Sequence, residues 1–447
     1  FGSRAWLRQT QTSLLVLLKA AMNKLILISV CLAFPCDGRR VQSVADLGLS
    51  SSSQVSTKHR PLSRLASRLF SRGRLTNGIE SSEERWATQM ASAAGTDLEG
   101  IFKLRGGFLG SLVSKFRKPE AKYKVCVVGG AGGIGQPLSL AMAQHPLVKE
   151  LSIIDLDIAA VPVPGVAADL SHVEGATKVT STVLSLANKD KAIDKAADSL
   201  TGCQVVLVPA GVPRKPGQDR KDLLTINADI AKGTVEACAK YCPDAVIGLI
   251  VNPVNSIVPA MSALWEKAGL DPKNVVGITS LDCVRSNKFV QERMGKVPDI
   301  TVIGGHAGKT ILPLLSQDKV AKQIPEDEIV ALDVRIQNAG TEVVKEKAGK
   351  GSATLSMAYA AARWAGAVMR GLNGKPTIEC AYVKSSVVPE LPYFASKVVF
   401  GKGGVQEVLP IGTISAHEQA RLDELIPILK EEINEGLDYA ATTEFAK

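Results

Sequence analysis

An α/β chain built on a doubly wound parallel sheet is what this sequence predicts, and three observations predict it. A short β-rich run leads into a glycine turn that reopens as a helix. Further short apolar runs alternate with helical stretches, and the first of them ends in an acidic residue. At 447 residues, 45% of them hydrophobic, the chain can bury a sizeable core and is expected to fold as more than one domain.

The formal charge of +9 invites a nucleic-acid reading until it is split by position. Residues 1–120 hold 18 Lys and Arg against 8 Asp and Glu, whereas residues 121–447 hold 35 against 36. A near-neutral body in a chain with only 4% aromatic residues has neither a cationic stripe nor stacking platforms, which excludes a nucleic-acid binder.

The basic excess belongs to a leader. The chain opens on Phe1, so residues 1–21 are expected to derive from a partial transcript or untranslated sequence. From Met22, "MNKLILISVCLAFPCDG" sets Lys24 before the apolar stretch Leu25–Phe34, with small and turn-prone residues after it, as in a secretory signal; residues 1–38 form this signal-like leader. The stretch is too short for stable membrane insertion. Residues 39–118 form a transit-peptide-like extension and linker. No acidic residue occurs from Leu47 to Ile79, while Arg60, Arg64, Arg68 and Arg72 recur amid Ser and Leu. A disordered targeting extension is expected, similar to the two-part presequences of algae whose plastids lie inside the endomembrane system. A mitochondrial presequence and a tail with no address are the alternatives.

Six of the eight cysteines lie in the body, mostly scattered through apolar segments; with no matching His or Cys pair they form neither a disulfide framework nor a zinc site. No metal is expected.

The body opens on "YKVCVVGGAGGIGQPLSLAMAQH": a strand over Tyr123–Val128, glycines at 129, 132 and 135, then a helix over Gly133–Gln144. A turn this tight lets backbone approach a pyrophosphate with no Cβ in the way, and the helix N-terminus offers free N–H groups to the phosphates. The next strand, "ELSIID", ends in Asp155, placed to accept the hydroxyls of an adenosine ribose and to repel a 2′-phosphate. Together they predict a Rossmann domain over residues 119–277 that takes NAD rather than NADP. Strands at Val205–Val208 and Ala245–Val251, with a helix at Asn227–Ala239 between them, continue the alternation. In such sheets ligands bind beyond the carboxyl ends of the strands. From those ends leave "AGVPRKPGQDR", carrying Arg214, Lys215 and Arg220, and "NPVN" at Asn252–Asn255. On its own the basic stretch reads as a solvated turn; its position favours a binding loop.

Downstream, "TSLDCVRSNKFVQE" sets Asp282 and Arg285 three residues apart, on one helix face. "VIGGHAGKT" then presents His306 after two glycines at a strand end, whereas His145, His172 and His417 read as structural. Hydride transfer at a carbinol carbon needs a group that moves the hydroxyl proton. A histidine titrating near neutral pH suits that task, and an Asp on its far nitrogen would fix the tautomer.

The stretches "VVGGAGGIGQPLSL", "AGVPRKPGQDRKDLL", "VNPVNS", "TSLDCVRSNKFV", "VIGGHAGKTILPLLSQ" and "GSATLSMAYAAAR" resemble the malate dehydrogenases shared by mitochondria, glyoxysomes and many bacteria. The resemblance runs from Lys122 to the C-terminus. It implies an α+β catalytic domain over residues 278–447 and NAD-dependent interconversion of malate and oxaloacetate. It also implies that His306 moves the proton with Asp282 as partner, that Arg214 and Arg285 clamp the two carboxylates, that Arg220 polarises the carbonyl, and that Asn252 orients the substrate. By the same resemblance Gly129, Gly130, Ala131, Gly132, Gly133, Ile134, Gly135, Asp155, Asn227, Ile250, Val251 and Met357 contact NAD, and the enzyme is a homodimer. Gly130 stands where the family usually has Ala, and three residues are missing between Asp282 and His306; neither departure touches a role named here. A lactate dehydrogenase would have a neutral side chain in place of Arg214. NAD-dependent glycoside hydrolases would need a metal, and a non-catalytic NAD-binding module would have no use for the proton relay.

Overall fold

In a computed structural model, residues 120–185, 193–212 and 220–445 are described. The leader over residues 1–38, the extension over 39–118 and the loop residues Arg214 and Lys215 lie outside them, as does the side chain of Arg220.

Strands β1 (Tyr123–Val128), β2 (Val148–Leu156), β3 (Lys178–Leu184), β4 (Val205–Val208), β5 (Val246–Leu249) and β6 (Val275–Gly277) pair in parallel in the order β3-β2-β1-β4-β5-β6. Both faces of this sheet are covered, so β4 and β5 are apolar and buried throughout rather than alternating. The two-residue period of a strand still divides the core. Cys126, Val128, Val206 and Val208 join one cluster, with helices α4 (Arg220–Tyr241) and α5 (Val254–Lys267). Val125, Val127, Val205 and Leu207 join the other, with α1 (Gly135–Ala143) and α2 (Val163–Ser171). A single helical turn, α3 (Ala197–Leu200), precedes β4.

Beyond β6 come α6 (Ser280–Met294), β7 (Val302–Gly304), β8 (Ile311–Pro313), α7 (Glu326–Glu346), α8 (Leu355–Leu372), β9 (Thr377–Lys384), β10 (Tyr393–Gly401), β11 (Gly404–Val408) and α9 (Ala416–Thr442). These strands pair antiparallel, and they meet the parallel sheet through one residue pair, Gly277 with Tyr382. Helix α9 opens with a reciprocal cap, Ser415 and Glu418 each bonding the other's backbone N–H. It then crosses α5 so closely that a Cβ on Gly436 would stand 1.9 Å from the Ser256 carbonyl oxygen. Tyr439 donates to Asp229 of α4 at 2.6 Å, and Lys267 of α5 donates to the Ala440 carbonyl.

Four element bounds differ from the sequence reading, the first being β2, which runs Val148–Leu156 and so extends past "ELSIID" at both ends. α1 starts at Gly135, not Gly133, because the turn is still closing: a Cβ at Gly135 would lie 2.0 Å from the Gly129 carbonyl oxygen. β5 spans only Val246–Leu249, with Ile250 and Val251 in the loop that follows. α4 starts at Arg220, seven residues before Asn227, because Leu223, Leu224, Ala228 and Ala231 already form its buried stripe. Arg220 therefore heads a helix rather than ending a loop.

The six body cysteines are free and buried. A hydrogen bond to a second cysteine (Cys203, Cys242 and Cys380 respectively), followed by burial, pushes the thiols of Cys126, Cys238 and Cys283 upward, away from the reactive thiolate.

Gly130 has a local reason in this chain. A Cβ there would sit 1.9 Å from Cγ2 of Ile153, a fully buried residue of β2. Gly130→Ala is expected to lower unfolding free energy by about 1 to 3 kcal/mol, as overpacking does. Denaturant melts would show it, and Ile153→Ala should make the same substitution far less costly; equal cost in both backgrounds would contradict the steric account.

Candidate functional site

The strand order reverses between β1 and β4, and the candidate site lies off the carboxyl ends of the strands there. Gly129, at φ +90°, donates its N–H to the Ile154 carbonyl at 2.8 Å, and a Cβ on it would lie 2.8 Å from the backbone of Ala210. The glycine turn and the root of the basic loop are thus in contact. Within the turn Ala131 donates its N–H to Asp155 Oδ2 at 2.8 Å, so the carboxylate at the end of β2 is oriented by the loop it serves. Gly132 and Gly133 face outward, Gly133 toward Thr354 at the head of α8, and Ile134 and Met357 pack with Ala131 and Ile250. The glycine turn therefore adjoins Asp155 on one side and the head of α8 on the other. An unhindered backbone turn with a fixed acid at its rim suits a dinucleotide's pyrophosphate and ribose.

Asn227 sits at the root of the basic loop. It is buried on α4, its Oδ1 accepting from Val212 N–H at 2.8 Å. Its Nδ2 donates to the carbonyls of Val212 at 3.1 Å and Asn252 at 2.7 Å. Both amide hydrogens are committed, which leaves a ligand only a lone pair of Oδ1. Asn227 ties the root of the basic loop to Asn252, which is exposed and precedes a cis proline, Pro253.

The sharpest geometry lies at the head of α6. Asp282, in the first turn of α6, is fully buried, and its Oδ2 is 2.5 Å from Nδ1 of His306. His306 follows Gly304 and Gly305 at the end of β7, with 12% of its side chain exposed. With Nδ1 bonded to the carboxylate, Nε2 is the nitrogen left for a substrate. The other oxygen, Asp282 Oδ1, has no hydrogen-bond partner among the described residues and lies 3.8 Å from the Arg285 guanidinium. Burial pulls Arg285 below the usual arginine range, while Asp282 and Glu342 pull the other way. Among the described residues this largely buried cation makes no hydrogen bond, so its donors are available to an anion.

The structure thus places Ile250 and Met357 in one core cluster with Ala131 of the glycine turn, beside Asp155, and Val251 in the other cluster, against Gly211; Asp282, Arg285 and His306 meet separately. Sequence reasoning missed Asn255, whose side chain bonds the backbone of His306, and Glu432 beside it. Asn255 lies within the quoted "NPVN", whereas Glu432 sits in a polar helical run with no distinguishing signal. No group of three or more metal-ligating side chains occurs among the described residues, and no helix among them is long and apolar enough to cross a membrane.

Two family models match the chain: "lactate/malate dehydrogenase, NAD binding domain" over residues 123–277 and "lactate/malate dehydrogenase, alpha/beta C-terminal domain" over residues 279–440. A mitochondrial malate dehydrogenase of Eucalyptus gunnii is 48% identical over 323 residues, covering 71% of this chain and 89% of the relative. A glyoxysomal malate dehydrogenase of Citrullus lanatus is also 48% identical, over 71% of this chain and 87% of its own. The crystal structure of Cryptosporidium parvum malate dehydrogenase superposes with a TM-score of 0.59 at 24% identity, covering 71% of this chain and 99% of the other. The two family matches fall on the parallel sheet and on the elements that carry Asp282 and His306, and with relatives this similar along most of their own length, the chain belongs to the lactate/malate dehydrogenase family.

Proposed function

We propose that the protein is an NAD-dependent malate dehydrogenase that interconverts malate and oxaloacetate. The observation that carries the reading is the 2.5 Å pairing of His306 with the buried Asp282, next to an Arg285 with unspent donors. Bound NAD would accept hydride from the carbinol carbon of malate, and bound NADH would supply it to the ketone carbon of oxaloacetate. Everything else falls to the chain. Arg285 and Arg214 bind the two carboxylates of the dianion, Arg220 draws electron density from the ketone, and Asn252 orients it. His306 gives its Nε2 proton to the carbonyl oxygen in reduction and takes it back in oxidation, while Asp282 stabilises the imidazolium. The test is NADH oxidation by the purified protein with oxaloacetate, with pyruvate and with no substrate. Fast turnover with oxaloacetate alone is expected, and equal turnover with pyruvate would overturn the substrate assignment.

Asp155, held by Ala131 N–H, supports NAD over NADP. A unit charge about 4 Å from a 2′-phosphate charge is repelled by roughly 1 to 4 kcal/mol, depending on local dielectric. Asp155→Ser is therefore expected to weaken NADH use and improve NADPH use. Equal efficiency with both cofactors in the unaltered enzyme would contradict the assignment.

The assembly is read as a homodimer, and the exposed apolar side chains of Leu355 (73%) and Tyr359 (63%) on α8 support a protein surface that is covered in solution. Sedimentation as a monomer at micromolar concentration would overturn it. The leader lies outside the matched residues 123–440, and the relatives named above are organellar. The signal-plus-transit composition of residues 22–118 supports delivery to a plastid. A reporter fused to that segment is expected there, and a reporter found only in mitochondria would overturn the two-part reading.

A further inference from the structure

The proton relay has a second support that the reaction scheme leaves unused. Asn255, in the first turn of α5, is 1% exposed. Its Oδ1 accepts from the His306 backbone N–H at 2.7 Å. Its Nδ2 donates to Thr310 Oγ1 at 3.1 Å and to Glu432 Oε2 at 2.5 Å. Thr310 Oγ1 in turn accepts from Ala307 N–H at 3.1 Å and donates to the Ala307 carbonyl at 2.9 Å. The chain lies directly against this amide, since a Cβ on Gly305 would stand 2.6 Å from Asn255 Nδ2 and 2.7 Å from its Oδ1. One buried side chain therefore seats the whole segment Gly305–Thr310 that carries His306.

We propose that Asn255 and Glu432 are positioning residues for His306, with Glu432 fixing the orientation of the Asn255 amide. The inference rests on the dehydrogenase reading for its kinetic consequence, though not for its geometry. An amide is nearly symmetric in shape and opposite in hydrogen bonding at its two ends. Flipped, Asn255 would turn N–H toward the His306 N–H and oxygen toward a buried carboxylate, two repulsions where water cannot relieve them. Glu432, buried on α9, forbids that state. The same helix props the segment from its far end: Arg421, bonded to Asp333 at 3.0 Å, donates to the carbonyls of Lys309 at 3.2 Å and Ile311 at 3.4 Å. Asp282 anchors the imidazole at Nδ1, and Asn255 anchors its backbone. Without the second anchor the ring pivots on the first, and Nε2 leaves the line to the substrate.

The test compares Glu432→Leu and Glu432→Gln in the full chain. A misplacement near 1 Å costs about 100-fold in rate, so kcat for oxaloacetate reduction should fall by about that factor in the Leu variant. The Gln variant, whose Oε1 can still accept from Asn255, should recover most of it. The NADH Kd should stay unchanged in both, and the isotope effect with NADH deuterated at the transferred position should rise only in the Leu variant. Amide hydrogen exchange of the cofactor-free protein over Ile303–Leu312 should likewise speed up only there. A Leu variant with wild-type kcat and exchange, or a Gln variant as slow as Leu, overturns the proposal. If the Leu variant does not fold, Asn255→Asp decides: alone it faces one carboxylate with another and should be slow, and adding Glu432→Gln should restore rate. No restoration overturns the proposal. If the unaltered protein does not oxidise NADH with oxaloacetate, the dehydrogenase reading falls, and the exchange comparison still decides whether Glu432 seats the segment.

Discussion

His306→Asn is expected to lower kcat for oxaloacetate reduction by about 10²- to 10⁴-fold, the contribution of general acid–base catalysis, and to leave the Kd for NADH unchanged. Asn is the informative replacement because its amide can still donate to Asp282 Oδ2, now 2.5 Å from the imidazole, so no buried carboxylate is orphaned. Neither the glycine turn, nor Asp155, nor the start of α8 bonds the imidazole, and these are the parts that the proposed reading gives to the cofactor. A loss confined to turnover follows. Stopped-flow reduction of oxaloacetate alongside fluorescence titration of NADH measures both, and near-normal turnover would mean another group carries the proton.

Arg285→Gln is the second large effect, and it should appear in kcat/KM. A substrate carboxylate stripped of its buried partner costs about 2 to 5 kcal/mol, or roughly thirty-fold to several thousand-fold in efficiency. Two features put this residue toward the upper end. The guanidinium is already largely desolvated, so a ligand carboxylate meets a cation little screened by water. It is also the cation 3.8 Å from the unpartnered Asp282 Oδ1, so its removal disturbs the proton relay as well. Arg285→Lys keeps the charge without the two-pronged fork and should fall between Gln and wild type. Steady-state kinetics at fixed pH and salt separates the three, and an unchanged KM for oxaloacetate in the Gln variant would remove Arg285 from the clamp.

What could be read along the chain was local. Strand β1 and strand β4 match their sequence bounds because a buried strand is a short apolar run, and Asp282 with Arg285 lies on one face because three residues is nearly one helical turn. Asp155 was recognisable because its distance from the glycine turn is set by one helix and one strand. The unreadable parts depend on residues far apart. Gly130 needs Ile153, Asn227 reaches across to Val212 and Asn252, and the His306 backbone leans on Asn255, 51 residues away. Those partners are chosen by tertiary packing, and no period or spacing announces them. Arg220 was misplaced for the opposite reason: the Pro and Gly before it read as a loop, and the buried stripe that begins at Leu223 outweighed them.

The crossing of α9 over α5 bears on when this protein becomes competent during folding. The bond that joins the glycine turn to Asp155 lies within the parallel sheet and its own loops. The seat of His306 closes only when Glu432 reaches Asn255, across 177 positions. Contacts of such separation carry a larger loop-closure entropy and form late. On the proposed reading, a refolding chain whose glycine turn has closed holds a dinucleotide before His306 is seated to move a proton. Recovery of NADH binding during refolding should run ahead of recovery of turnover, with the interval set by the docking of α9.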